Sequence, residues 1–268
     1  MQAHQTVQPA QPQSVPMHGI EVRRVAFDAP WAWLAAGWRD LWAAPQISLI
    51  YGAVFAAISV GLTLALAARG LEALVLSLAG GFLLIGPIAA IGLYETSRRL
   101  EAGERVTFGA IAAAVRQAPG QLGFFGAILA FAYFVWVQLA LLMFMLFLGS
   151  RPLPPASEFV PTLLFTSHGL GLLVCGTIVG GLLAFAVFAI SAISVPLLMT
   201  RRMDAVSAIL ASIAAVRMNP MAMTLWAALI AGFMALGIAS LFVGLVVAFP
   251  LVGHATWHAY RELMRDAE

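Results

Sequence analysis

The chain has 268 residues, of which 62% are hydrophobic and only 10% are charged. Soluble domains are about 45–50% apolar and about 25% charged, so a water-soluble fold of this size could not bury so much apolar surface. The composition therefore predicts that lipid is the solvent for much of the chain. The net charge is only +2 and the arginines are scattered between apolar runs, which argues against nucleic-acid binding.

Residues 1–20 are rich in glutamine and proline and lack the apolar core of a signal peptide. We predict that they form a disordered cytoplasmic tail and that residues 21–268 form a single membrane domain. Cys175 is the only cysteine, which excludes an intrachain disulfide. The chain has no lysine, which excludes Schiff-base catalysis by lysine and phosphate loops that contain lysine.

Six stretches are predicted to cross the membrane, because about twenty apolar residues of helix span a hydrocarbon core of roughly 30 Å. The first four are residues 47–68, 73–94, 121–148 and about 172–199, with an exposed, proline-rich loop at 149–158.

Residues 218–260 form a last run without aspartate, glutamate, lysine or arginine. As one helix it would be roughly 64 Å long, about twice the thickness of the membrane core. We therefore predict two spans joined by a tight apolar turn near residues 237–244, with one long helix as the alternative.

The arginines predict the orientation. All but Arg69 and Arg151 lie in the N-terminal segment, in the connectors after the second and fourth spans, and at the C-terminus. Because cytoplasmic loops are enriched in arginine, this pattern predicts that both termini and both of these connectors are cytoplasmic.

Three short stretches share a one-sided apolar pattern, and each is followed by a proline and a predicted span. The apolar positions are Trp31, Leu34, Ala35 and Trp38, then Phe108, Ile111, Ala112 and Val115, then Val206, Ile209, Leu210 and Ile213. They predict three short cytoplasmic interfacial helices and a threefold repeat of interfacial helix, span and span over residues 31–94, 107–199 and 204–260. The alternative is that such helices and proline corners are common in membrane proteins and arose without duplication.

Pro87, Pro196 and Pro250 interrupt the second, fourth and sixth spans. Broken helices near the midplane build the binding sites of many transporters, so these are candidate transport or kink positions. The alternative is that neighbouring helices absorb each kink.

His254 and His258 are spaced i, i+4, which places both on one face of the last span. This spacing suits one metal ion bound by two imidazoles, with Glu95 at the matching end of the second span as a third ligand. The alternative for the histidines is that His254 hydrogen-bonds a neighbouring helix and His258 lies at the membrane interface. The alternative for Glu95 is an ion pair with Arg98 or Arg99, one turn further on.

Four stretches carry a resemblance to a known family. They are Trp38-Arg39-Asp40 leading into Ser48-Leu49-Ile50-Tyr51-Gly52, Gly86-Pro87 through Gly92-Leu93-Tyr94-Glu95, Ser97-Arg98-Arg99-Leu100-Glu101-Ala102-Gly103, and His254-Ala255-Thr256-Trp257-His258-Ala259-Tyr260-Arg261. With them, nearly everything after residue 20 resembles a bacterial domain-of-unknown-function family of predicted integral membrane proteins. The resemblance implies a multi-pass protein of the bacterial inner membrane.

Some members of that family are labelled cytochrome c oxidase subunit I. An oxidase catalytic subunit needs more membrane-embedded histidines than this chain supplies, since His4 and His18 lie in the tail and only His168, His254 and His258 lie near the membrane. That role is therefore excluded. Mitochondrial carriers also have three two-span repeats, but their proline–acidic–basic signature is absent.

The chain has no Ser–His–Asp grouping, no zinc-protease motif and no glycine-rich phosphate loop, so we predict that it is not an enzyme and has no cofactor. The leading hypothesis is a permease-like or transport-related bundle, without ion coupling because no carboxylate lies mid-span. The alternatives are an accessory or assembly subunit of a larger membrane complex, a respiratory one for example, and an intramembrane metal or haem protein. The predicted partners are the lipid bilayer and either other membrane subunits or a second copy of the chain.

Overall fold

The computed structural model describes residues 16–17, 20–71, 74–116, 120–149 and 156–266. Over these residues the chain is an all-α bundle with one small antiparallel sheet. The helices are α1 (Ala29–Ala43), α2 (Pro45–Ala67), α3 (Leu74–Ala89), α4 (Ile91–Glu101), α5 (Phe108–Arg116), α6 (Gly120–Leu148), α7 (Ala156–Phe165), α8 (Ser167–Ser191), α9 (Ser194–Thr200), α10 (Ala205–Met218), α11 (Pro220–Ala239) and α12 (Leu245–Leu263). The strands are β1 (Pro16–Met17), β2 (Ile20–Val22) and β3 (Met264–Asp266).

Four helical segments of the described chain are long and apolar enough to cross a membrane: α2, α6, α8 together with α9, and α11. They correspond to the first, third, fourth and fifth predicted spans, and they confirm the membrane class. The predicted second and sixth spans correspond to α3 with α4 and to α12. Neither of these is both long and apolar enough to be counted with the other four. Helix α3 has only sixteen residues, and α12 carries polar residues in its second half.

Contacts between distant residues show that the chain runs back along the bundle after α2 and after α6. Ser48, near the start of α2, and Ser97, near the end of α4, both lie within hydrogen-bonding distance of His254. The Ala205 amide, just after α9, donates to Gln121 Oε1 at the start of α6 over 3.0 Å. Helices α2 to α4 and α6 to α9 therefore form two hairpins.

The third hairpin is α11 with α12, and its two ends lie beside the segment that precedes α1. The Arg23 amide donates to the Leu263 carbonyl at the end of α12 (2.9 Å), and Asn219 Nδ2, at the start of α11, donates to the Arg23 carbonyl (2.9 Å). The Tyr260 hydroxyl bonds to Thr200 Oγ1 over 2.6 Å, which ties this hairpin to the second. The first and last residues of each of the three hairpins therefore lie together at one end of the bundle, which we call the closed-off end.

The small sheet lies at the same end. Its strand order is β1-β2-β3, with both pairs antiparallel, so the segment before α1 and the segment after α12 lie side by side. Strand β1 falls inside the stretch predicted as a disordered tail, whereas residues 1–15 lie outside the described part of the chain.

The run 218–260 is divided into two helices, as predicted. The turn between them has Leu241 and Phe242 in the left-handed region, at φ 54° and 67°. Ser240 stabilises it, because its hydroxyl donates to the Gly237 carbonyl (2.9 Å) and accepts from the Gly244 amide (2.8 Å). A Cβ on Gly244 would lie 3.0 Å from Gly237 Cα, so this turn requires small residues.

The short helices α1, α5 and α10 occupy the predicted positions, but their predicted apolar stripes pack on the protein only in part, since Leu34 and Ile111 are buried. The exposed stripe residues are Trp31, Trp38, Phe108, Val115, Val206 and Leu210. In α1 the buried side is instead the neighbouring one, with Trp33 and Leu41, which packs against α12. Each short helix is apolar on more than one side, so periodicity did not predict which side faces the protein.

Candidate functional site

A cavity of about 310 Å³ lies where the broken helices meet. Its walls come from α3, α4, α8, α11 and α12 together with the break after α8, and they include Gly86, Pro87, Ala90, Tyr94, Gly181, Phe185, Ser191, Ala192, Trp226, Ala231, Met234, Phe249, Val252, Gly253 and Thr256. The set contains no charged side chain. The cavity therefore suits an uncharged and largely apolar occupant.

The prolines predicted as kink positions have different relations to this cavity. Pro87 lines it, three residues before the break between α3 and α4 at Ala90. Pro196 does not line it but explains the break at Ala192, because a proline has no N–H to donate to the carbonyl four residues earlier. Pro250 is buried within α12, directly after the lining residue Phe249.

The few polar groups of the wall are mostly bonded within their own helices. The Ser191 hydroxyl donates to the Val187 carbonyl (2.6 Å), and the Thr256 hydroxyl donates to the Val252 carbonyl (2.8 Å). Trp226 is different, because its indole nitrogen is buried and has no hydrogen-bond partner among the described residues. Its ring packs edge-on against Trp33, with centroids 5.7 Å apart.

The cavity is open on one side, between α8 and α11. Gly181 and Phe185 on α8 and Ala231 on α11 line it and are themselves exposed. These two helices pack little against each other, so the opening faces the apolar exterior of the bundle.

A second cavity, of about 240 Å³, continues from the first away from the closed-off end. Its walls include Leu62 and Leu66 of α2, Tyr133 of α6 and Ile238 of α11. Met234, which is 4% exposed, lines both cavities. This side chain therefore lies in the partition between them.

A buried polar network lies beside the first cavity, at the closed-off end. His254, which is fully buried, has Nε2 2.9 Å from Ser48 Oγ and Nδ1 2.8 Å from Ser97 Oγ. Because the Ser48 hydroxyl donates to the Ala44 carbonyl (2.9 Å), its oxygen accepts from His254, which assigns the ring proton to Nε2. Ser97 then donates to Nδ1.

Asp40 of α1 extends this network. Its carboxylate lies 2.8 Å from His258 Nε2 and close to Ser97, whose only proton goes to His254. Burial by itself raises the pKa of Asp40, but the hydrogen bond with His258, the nearby Ser97 hydroxyl and the nearby imidazoles outweigh it and hold the pKa below its ordinary value. The network thus joins α1, α2, α4 and α12.

Residues 74–200 match the model of a family described as a predicted integral membrane protein, DUF2189. This central segment, here called the DUF2189 segment, is similar to that family. The resemblance based on sequence motifs is confirmed there, over somewhat less than half of the chain and not over nearly all of it as predicted. No curated protein and no solved structure matches the chain.

The DUF2189 segment contributes Pro87, Ser97 and the α8 wall to the two sites, while the rest comes from α1, α2, α11 and α12. The description of DUF2189 states a membrane protein and no activity. The oxidase label therefore gains no support from it.

Glu95, also in the DUF2189 segment, lies in a separate ion cluster. Arg98 donates to it through Nε (2.8 Å) and Nη2 (2.9 Å), and Arg99 through Nε (2.6 Å). Glu104 bonds to both arginines as well.

The predicted metal ligands are thus not assembled around one point. His254 and His258 share a face of α12, as their spacing requires, but both nitrogens of His254 are hydrogen-bonded and Glu95 is paired with arginine. Among the described residues, no group of three or more histidine, cysteine, aspartate or glutamate side chains could hold a metal ion.

Sequence reasoning did not single out Ser48, Ser97, Asp40 or Trp226. The two serines and Asp40 lie in the stretches that carry the resemblance, but nothing local distinguishes a serine that bonds to a distant histidine. Trp226 offered a signal, because tryptophans usually lie near the ends of a span and this one lies two turns inside α11.

Proposed function

We propose that this protein is a non-enzymatic, permease-like bundle that lets an uncharged solute cross a bacterial inner membrane by facilitated movement. The uncharged cavity between broken helices is the observation that carries the proposal. The absence of an acidic side chain from its described walls argues against coupling to protons or sodium.

Six spans are part of this proposal, with α3–α4 and α12 as the second and sixth. The three hairpins support six spans, because in each hairpin the last helical segment ends beside the start of the first helix. Two matching corners support the threefold repeat. Ala44 (φ −132°, ψ 58°) and Asn219 (φ −126°, ψ 52°) each lie directly before a proline that begins a long helix. The arginine pattern supports cytoplasmic termini, and the exposed stripes of α1, α5 and α10 suit contact with the cytoplasmic leaflet.

Single cysteines test this topology in a Cys175→Ser background. Ala68 and Ala102 are exposed residues that end α2 and α4, and Val243 is exposed in the turn before α12. In cells with a permeabilised outer membrane, we expect an impermeant maleimide to label Ala68→Cys and Val243→Cys. Ala102→Cys should react only after lysis. Labelling of Ala102→Cys in intact cells would contradict the proposed orientation.

The two cavities support a path along the bundle, with Met234 as the partition. A Met234→Trp substitution adds volume that the neighbouring cavities can accept, so the fold is retained while the path is blocked. In proteoliposomes, we expect wild-type protein to raise the permeability to at least one uncharged solute between glycerol and 1,2-hexanediol in polarity, measured by stopped-flow light scattering. Met234→Trp should remove most of that increase.

Met221→Trp is the matched control, because Met221 lies on the same helix and is 77% exposed. It should leave the permeability unchanged. No flux of any solute in the series, or equal flux in the two variants, would contradict the proposal. An accessory subunit would instead retain stoichiometric partners through purification in a gentle detergent.

A further inference from the structure

Helix α1 presents three exposed tryptophans on one side. Trp31, Trp38 and Trp42 are 56%, 44% and 54% exposed, and with the exposed Ala35 they follow the i, i+4, i+7, i+11 spacing of a single helix face. Trp38 and Trp42 pack edge-on against each other, with ring centroids 5.6 Å apart. A contiguous aromatic surface of this kind marks a site of contact with a membrane or a protein. We call these four residues the tryptophan face.

The opposite side of α1 fixes the tryptophan face in position. Trp33 donates from its indole nitrogen to Glu262 of α12 over 2.6 Å. Asp40 lies 2.8 Å from His258 Nε2 of the same helix, and Leu41 is fully buried. Because this side is held against α12, the tryptophan face points away from the bundle, and what covers it comes from outside the described chain.

Exposed arginines border the tryptophan face. Arg23 and Arg24 precede α1, and Arg39 follows Trp38 on the exposed side of the helix. None of these three arginines forms an ion pair with another described residue. Asp28, at the start of α1, is an exposed acid in the same region, and the arginines outnumber it. The surroundings of the tryptophan face therefore carry an excess of positive charge, which is complementary to an anionic partner.

The same combination of exposed apolar side chains and an exposed arginine recurs twice at the closed-off end. It is formed by Phe108, Val115 and Arg116 of α5 and by Val206, Leu210 and Arg217 of α10. A protein partner would have to reach three separate surfaces, whereas a membrane leaflet contacts all three at once. Tryptophan favours the headgroup level of a membrane, and arginine binds phosphate through two parallel hydrogen bonds. The observations thus favour lipid over protein as the partner.

We propose that the tryptophan face and its arginines bind anionic phospholipid headgroups of the cytoplasmic leaflet. The tryptophans lie at the headgroup level, and the arginines pair with the phosphates and are attracted by the negative surface. This inference goes beyond the proposed transport. It rests on the proposed orientation of the chain and holds with or without a transported solute.

A fluorophore on the tryptophan face tests the preference for anionic lipid. Ala35→Cys in the Cys175→Ser background is labelled with bimane, and the protein in uncharged detergent micelles is titrated with phosphatidylglycerol or with phosphatidylcholine. We expect the fluorescence to change at a lower fraction of phosphatidylglycerol, because each arginine near an anionic surface strengthens binding roughly fivefold. The preference should weaken in about 1 M salt, which screens exposed charges beyond about 3 Å.

Substitutions separate the contribution of charge from that of apolar contact. Arg24→Gln combined with Arg39→Gln should reduce the preference for phosphatidylglycerol at least about fivefold and leave the titration with phosphatidylcholine unchanged. Trp38→Ala should weaken the binding of both lipids alike, because it removes apolar contact and no charge. Arg69→Gln is the matched control, since Arg69 is exposed after the far end of α2, and it should change neither titration.

The outcomes distinguish this surface from other partners and from transport. Equal titrations with the two lipids, or a preference that survives the double arginine substitution, would overturn the proposal. A protein cross-linked to Ala35→Cys in native membranes, with no response to either lipid, would assign the tryptophan face to a protein partner instead. Solute flux without the lipid preference would remove this surface and leave the permease, and the lipid preference without flux would do the reverse.

Discussion

Replacing Gly52 with alanine is expected to destabilise the protein by at least about 3 kcal/mol, at the upper end of the cost of overpacking. A Cβ at this position of α2 would collide with the Val246 carbonyl oxygen of α12 and lie 2.7 Å from its carbonyl carbon. Because both partners are helix backbone, no side-chain movement relieves the collision, and the two helices must separate. The loss of stability is measured by thermal unfolding of the protein purified in a mild detergent, with size-exclusion chromatography as the readout of the folded fraction.

Gly61→Ala is the control on the same helix. A Cβ there would meet no atom within 4 Å, and alanine favours a helix over glycine by roughly 0.5–1 kcal/mol. This variant should be as stable as wild type or slightly more so. Equal stability of the two variants would mean that α2 and α12 do not pack backbone to backbone.

The contact at Gly52 also holds the cavity wall in place. Phe55 of α2 stacks on Phe249 of α12 with centroids 4.1 Å apart, and Phe249 lines the larger cavity. A similar close approach joins α1 to α12, since a Cβ on Gly37 would lie 2.6 Å from the Ala255 nitrogen. Helix α12 is therefore the common packing partner of the first two helices. Substitutions that alter its packing should also alter the shape of the cavity.

The sequence predicted what depends on local composition. Long uncharged runs predicted the membrane helices, and the length of the run 218–260 predicted the turn at Ser240, because neither requires a knowledge of partners. Helix α7 was missed, because Glu158 and the three prolines just before the helix indicated a loop. The fold could be predicted to the level of its long helices.

The sites could not be predicted in the same way, because they depend on which helix meets which. Ser48 and Ser97 are separated from His254 by 206 and 157 residues, and only the tertiary fold brings them to its two nitrogens. The stripe of Trp31 and Trp38 shows the same limit. Periodicity predicts an apolar side, and it does not distinguish a side for lipid from a side for protein.

A second large effect is expected from His254→Leu, which preserves approximate volume but removes both ring nitrogens. Ser48 keeps its bond to the Ala44 carbonyl, but Ser97 loses the acceptor for its proton. Since an unsatisfied buried polar group costs about 1–3 kcal/mol, and the Ser97 hydroxyl is left without its acceptor, we expect a loss of about 1–3 kcal/mol in the free energy of unfolding, measured by thermal unfolding. His258→Leu should cost less, because that side chain is 25% exposed and has one hydrogen bond.

The decisive comparison is with the variant in which His254→Leu, Ser48→Ala and Ser97→Ala are combined. Removing all partners of a buried hydrogen bond can be nearly neutral, whereas removing one leaves the others unsatisfied. The combined variant should therefore be more stable than the sum of the three single changes predicts. Additive losses would show that the three side chains act independently, and then His254 would hold α2, α4 and α12 together through packing alone.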